Sequence, residues 1–241
     1  MKQLFIMALL FLAGTAVAKS NEVSVEKGKI KDKRAITEFN ELKVNGPFEV
    51  ILVSNKDNNS VSLEGNEDVV SKITTEIKNG VLEISLPQNF DYKSSKKHSV
   101  TIKVPYYTSL QKIYMIGSGS VTSRNTISSN VKLYLEGSGS ISLNLNTARN
   151  EACVLGSGKI MLTGNVQDFE CKVIGSGNID ARNLQSSNVE VLVSGSGNAD
   201  VVSNKAIKGI ISGTGNVAYA GNPKEQDLKR SGQGEYRLTS F

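Results

Sequence analysis

Tryptophan is absent, histidine occurs once, cysteine twice and proline four times in the 241 residues. Each scarcity removes a class of function. With His98 alone, in the polar stretch Lys96-Lys97-His98, no Ser-His-Asp or Cys-His catalytic set can be assembled around more than one imidazole. The two cysteines, Cys153 and Cys171, stand in no cluster with histidine or carboxylates at metal-ligand spacing, so neither a metal nor another cofactor is expected. Charge of one sign is not concentrated anywhere. Lys and Arg number 28 and Asp and Glu 23, a net +5, and the two signs are interspersed, which argues against a nucleic-acid-binding surface. Long apolar runs are also missing after the N-terminus, so no integral membrane segment is expected in the mature chain.

The one apolar run, Leu4 to Leu12, follows Lys2 and precedes Ala16-Val17-Ala18. A charged start, a short apolar core and a small-x-small site read as a signal peptide over residues 1–18, cleaved before Lys19. The expected location is therefore exported: periplasmic, cell-surface or secreted. Residues 19–35 are polar and charged and read as a flexible leader.

Glycine is plentiful, at 22 residues. Without excess proline, and beside many Val, Ile, Ser and Asn, it points to strands and tight turns. Its distribution is periodic. Gly-x-Gly recurs at Gly117-Gly119, Gly137-Gly139, Gly156-Gly158, Gly175-Gly177, Gly195-Gly197, Gly213-Gly215 and Gly232-Gly234. The steps between first glycines are 20, 19, 19, 20, 18 and 19 residues. One such tripeptide means nothing; seven in near-constant register mark a repeat. Before each corner, apolar residues alternate with polar ones, as in Val189, Val191 and Val193 against Glu190. After it stand Val121, Ile141, Ile160, Ile179, Ala199, Val217 and Tyr236. Period two means strand with one buried face.

One such unit cannot bury its own apolar face, but stacked units bury theirs together and supply each strand with partners above and below. The expected fold is all-β: a right-handed parallel β-helix over residues 111–241, three-sided for a coil of this length, with a β-rich N-terminal cap over 36–110. In the cap, Asn79-Gly80 marks a hairpin, and the stretch after Asn66 is the single short helix candidate. The same register places Cys171 inward and Cys153 outward on adjacent coils, so the two are expected to be unpaired.

Candidate site residues follow from outward ladders. Asp180 and Asp200 each lie three residues after a corner glycine of neighbouring coils; such a pair could polarise a glycosidic bond or hold a cation, or simply be solvated. Asn178, Asn198 and Asn216 follow their corners directly. Tyr114 and Tyr134 share one phase in adjacent coils and could receive a sugar ring or a partner surface, while stacked side chains also stabilise parallel coils. No catalytic residue is assigned.

The corners Gly175-Ser-Gly-Asn-Ile179, Gly195-Ser-Gly-Asn-Ala199 and Gly213-Thr-Gly-Asn-Val217 resemble the repeats of DUF2807, the auto-transporter adhesin head GIN domain family. The resemblance extends over roughly residues 37–220. It implies a secreted bacterial protein of the cell envelope, with a right-handed β-helical fold and no catalytic residues to transfer; an autotransporter barrel is not expected among these residues. Three functions compete: an adhesin-like, non-enzymatic module binding an extracellular glycan or protein; a carbohydrate-active enzyme using Asp180 and Asp200; and a structural envelope protein with no ligand of its own.

Overall fold

A computed structural model describes residues 22–26, 29–54, 59–90 and 99–241. The expected signal peptide and its cleavage site, together with His98, lie outside the described residues.

The glycine register sets the geometry of the stack. Strands β9 (Lys112–Gly117), β11 (Lys132–Gly137), β12 (Ser140–Gly156), β13 (Lys159–Gly175), β14 (Asn178–Gly195), β15 (Asn198–Gly213) and β17 (Glu225–Gly232) pair in parallel, each first corner glycine opposite the next. After the corner, β10 (Ser120–Ser123), the beginnings of β12 to β15, β16 (Val217–Ala220) and β18 (Tyr236–Leu238) form a second parallel ladder. A further bend in the coil follows at Gly164, with φ +105°. The ladder is interrupted again at Ala148 and Gln167, which pair with no counterpart, and buried spacing jumps there from Val166 to Phe169. The molecule is all-β, a solenoid of about seven turns over 112–238 joined to an N-terminal mixed sheet.

The two glycines of a corner do different work. Gly175 has φ +115°, a left-handed conformation that side chains strain to adopt. Gly177 does not, but a Cβ on it would lie 2.6 Å from the Gly158 carbonyl oxygen and 2.5 Å from a Val154 methyl. Absence of both side chains lets one carbonyl serve two donors: Ser176 N–H and Gly177 N–H donate to Gly156 O at 2.9 and 2.8 Å. Successive corners thus stack backbone on backbone, and the buried valines of one coil fill the space over the glycine of the next.

Inside the walls the core is a column of aliphatic side chains. Val191 is 3% exposed and stands in register between Cys171 and Gly209. Gly209 leaves a gap that the Tyr236 ring fills, with the Tyr236 hydroxyl donating to Lys229 O at 3.0 Å.

The N-terminal half enters this stack out of sequence order. β3 (Glu41–Asn45) and β4 (Glu49–Ser54) pair in parallel with β9 and β10, so they form a rung with a Gly46-Pro47 corner in place of Gly-x-Gly. Beyond them, on the far side, β7 (Val81–Ser85) pairs with β3 and β8 (Thr101–Tyr106) with β4, again in parallel. β5 (Ser60–Asn66) lies antiparallel to β8, and β6 (Thr74–Lys78) turns into β7 through Asn79 and Gly80, both at positive φ. Asn66 caps the short helix α1 (Glu67–Val70) by accepting from Asp68 N–H. The segment 36–110 therefore divides into rungs that lengthen the stack and antiparallel strands that flank them.

Within the flexible leader expected over 19–35, residues 22–26 and 29–35 are strand. β1 (Glu22–Glu26) and β2 (Lys29–Ala35) form an antiparallel pair, and β2 continues antiparallel onto β5. The charges that suggest disorder are used in folding. Arg34 donates to Asp32 at 2.8 Å and to the carbonyls of Ile73 and Val70 at 2.6 and 3.1 Å, satisfying acceptors released at the end of α1. Ile30 of the same strand is buried.

Candidate binding face

The residues singled out as ladders fall into three situations. The asparagines are spent within the stack. Asn178 Oδ1 accepts from the Asn198 N–H at 3.2 Å and its Nδ2 at 3.1 Å. Asn198 Oδ1 accepts from Asn216 N–H at 3.1 Å and Nδ2 at 3.2 Å, and Asn216 Oδ1 accepts from Glu235 N–H at 3.1 Å. Their acceptor oxygens bind the next coil rather than face a ligand.

Asp180 and Asp200 do stand opposite each other in adjacent coils, but Arg182 sits with them. Its Nε and a terminal nitrogen donate to the two oxygens of Asp180 at 2.9 and 2.6 Å, and Lys159 lies 3.4 Å away. The guanidinium holds Asp180 well below the usual carboxylate range, at about 2, against an opposing push from burial. Burial pushes Asp200 up, and Arg182, 3.6 Å away, offsets this. A carboxylate clamped on both oxygens is neither a poised proton donor nor a free ligand for a cation. Among the described residues no group of three His, Cys, Asp or Glu side chains is placed to hold a metal.

The tyrosines lie on a different wall. β3, β9, β11, β12, β13, β14 and β15 present a broad outer face, and Tyr114 and Tyr134 are neighbours on it. Their rings meet edge to face, with centroids 6.2 Å apart and planes at 80°, the arrangement that aligns positive ring edge with negative ring face. Lys112 Nζ lies 5.5 Å from the centroid of the Tyr134 ring, within cation–π range. Both hydroxyls are tethered to acids one coil on: Tyr114 donates to Glu136, and Tyr134 donates to Glu151 Oε1 at 2.8 Å. Burial, then the Glu151 contact, pushes Tyr134 up to about 12; Tyr114 is raised chiefly by its bond to Glu136. Both are therefore neutral donors at physiological pH, held in place rather than swinging freely.

Grooves adjoin the pair on both sides, sharing Glu41 and Lys112. One, of about 870 Å³, runs along Gln111, Ser129, Asn130 and Tyr134. The other, of about 320 Å³, runs along Lys43, Glu76, Glu83 and Tyr114. Farther along the same face the tyrosine column continues through Cys153 and Lys172 to Leu192 and Ile210. Ile174 and Ile210 are 41% and 44% exposed, and a hollow of about 100 Å³ lies among Lys172, Leu192, Lys208 and Ile210. Sequence reasoning found the tyrosines and missed Lys112, Glu136, Glu151, Leu192 and Ile210. The signal was present: counting back from each first glycine puts Leu192 and Ile210 in the column of Tyr134.

Cys153 belongs to that outward column, and Cys171 to the core, as the alternation requires. Neither is paired, yet both are buried. Cys153 is only 5% exposed because Tyr134 and Lys172 flank it in register. Burial pushes both thiols up.

Comparison with known proteins agrees with this architecture. A putative adhesin from Bacteroides fragilis, 24% identical, superposes with a TM-score of 0.80 over 88% of this chain and 97% of that one. A putative lipid binding protein from Parabacteroides distasonis, 19% identical, gives 0.67 over 88% and 98%, and a putative adhesin from the same species, 20% identical, gives 0.66 over 86% and 96%. No curated protein matches the chain. No helix among the described residues is long and apolar enough to cross a membrane. Residues 38–223 match the model of DUF2807, "Putative auto-transporter adhesin, head GIN domain", and the chain belongs to that family.

Proposed function

We propose that this protein is an exported, adhesin-like binding module without catalytic activity, and that it holds an extracellular glycan or protein on the outer face bearing Tyr114 and Tyr134. The observation that carries this reading is the tethered aromatic pair beside Lys112, with grooves on both sides. Rigid aromatic rings offer contact area at low entropic cost, and amphipathic ones suit surfaces that are wet when free and covered when bound. The family's name and the solenoid's long flat walls support the same role. Surface, periplasmic or secreted placement follows from the N-terminal leader pattern. The competing enzyme reading depends on Asp180 and Asp200, and Arg182 already occupies that pair.

The test is a glycan array probed with the wild-type chain and with Tyr114→Ala/Tyr134→Ala. Binding that the double variant loses supports the assignment of the face. Binding that the variant retains in full places the ligand elsewhere and refutes it.

A further inference from the structure

The outer face that carries the tyrosines is complementary to itself. Count its rungs from β3 as the first, so that β9, β11, β12, β13, β14 and β15 are the second to seventh. One outward column then reads Glu41, Lys112, Lys132, Glu151, Glu170, Glu190 and Lys208. Reverse the order about the fourth rung and every other position of these seven rungs meets its opposite: Glu41 faces Lys208, Lys112 faces Glu190, and Lys132 faces Glu170; the flanking strands β7 and β17 add Val81 and Asp227 to the column, which form no charge pair. Glu151 alone meets its own copy. It is already neutralised within its own chain, by Lys132 at 3.1 Å and Lys172 at 3.8 Å, and it accepts the Tyr134 hydroxyl.

The neighbouring column repeats the relationship in shape. Reversal brings Tyr114, in the second rung, over Leu192 in the sixth, and Tyr134 over Lys172 in the fifth. The tyrosine rings lie between the two grooves at one end of the face, and the hollow lined by Lys172, Leu192 and Ile210 lies at the other. Charge and relief are thus related by one and the same operation, a two-fold axis lying along the strands at β12.

We propose that this face docks on the same face of a second copy of the chain, through that axis, so that the module adheres homotypically. The proposal rests on the reading of this face as the binding surface and names its partner. A two-fold axis is the symmetry under which one patch can serve both partners. Every contact then occurs twice: the Tyr114 ring of each copy covers Leu192 of the other, and Lys132 of each copy reaches Glu170 of the other. The present intrachain pairs, such as Lys172 with Glu170 at 2.6 Å, lie on half-buried side chains at the surface that can share a second partner. Seven rungs of six residues give a face of roughly 34 by 20 Å, somewhat under the ~800 Å² per partner of a standard interface, so association in the micromolar range is expected.

Sedimentation velocity from about 1 to 500 µM tests it. The wild-type chain is expected to dimerise. Lys132→Glu alone and Glu170→Lys alone are each expected to weaken the dimer by about tenfold or more, because each places like charges together at two symmetry-related sites. An equimolar mixture of these two variants should recover the dimer, since every such contact between the two different chains again joins opposite charges. No intrachain pair is restored by mixing, so recovery reports the interface itself and shows both variants to be folded. A wild-type chain that stays monomeric throughout overturns the proposal, and so does a mixture that associates no better than either variant alone. If the chain stays monomeric yet binds glycans in a tyrosine-dependent way, the homotypic partner is wrong and the face assignment stands. If both measurements fail, both readings fall.

Discussion

The Tyr134 hydroxyl donates to Glu151 across one rung, at 2.8 Å, and in doing so draws the ring over Cys153. An outward-facing thiol is thereby buried. Reaction with a maleimide should accordingly be slow at both cysteines of the native chain, all the more because burial disfavours their thiolates. Tyr134→Ala should expose Cys153 and leave Cys171 protected. Mass spectrometry after labelling reads the two sites separately. Labelling of Cys171 with Cys153 still protected in the folded variant would mean that the strand register is wrong by one residue.

Val191 offers a sharper test of the core. Val191→Asp buries an unpaired charge between Cys171 and Gly209, at a cost of several kcal/mol, against a total domain stability of about 5–15 kcal/mol. The C-terminal half should unfold. Glu190→Asp, one residue earlier on the exposed face, should melt within a degree or two of wild type. Thermal denaturation of both variants decides; a harmless Val191→Asp would contradict the inward assignment.

At the corners, a single methyl group should be felt. A Cβ on Gly197 would overlap the Gly177 carbonyl oxygen and lie 2.5 Å from a Val173 methyl. Overpacking of this kind costs about 1–3 kcal/mol, and Gly197→Ala should lower the melting temperature by several degrees. Ser176→Ala, which removes only an exposed contact of 3.1 Å with Ser196, should change it little.

Acid should reveal the Arg182 clamp. Asp180 titrates at about 2 when folded, against about 3.9 for an unfolded aspartate. Its stabilising contribution is therefore complete above pH 4 or so and is lost as the pH falls towards 2. Asp180→Asn should flatten the decline in melting temperature across that window. A decline as steep as in wild type would show that the pair contributes nothing to stability.

Much of this fold is legible in the residues, because the repeat imposes one register on glycine, valine and tyrosine alike. Val191, Cys171 and Gly209 can be stacked by counting from Gly195, Gly175 and Gly213, and the counting agrees with the paired strands. Where the repeat signal fades, so does the reading. The rung of β3 and β4 turns at Gly46-Pro47 with the Phe48 ring in the space a side chain on Gly46 would take, so no tripeptide marks it. The order in which β7, β3 and β9 lie side by side follows from long-range pairing, which local alternation does not encode. β2 was obscured by its charges, which resolve only when Asp32, Arg34 and the end of α1 come together. The candidate face was half visible. The two tyrosines stand out by type, whereas Leu192 and Ile210 look like ordinary core until their phase is counted.

A comparison of binding with turnover tests the account most directly. The wild-type chain, Tyr114→Ala/Tyr134→Ala and Asp180→Asn/Asp200→Asn should be incubated with a panel of polysaccharides, measuring both retained protein and released product. The account expects no product from any of the three, and any polysaccharide that the wild-type chain retains should be lost by the tyrosine variant and kept by the aspartate variant. Product released by the wild-type chain and abolished in Asp180→Asn/Asp200→Asn would contradict it.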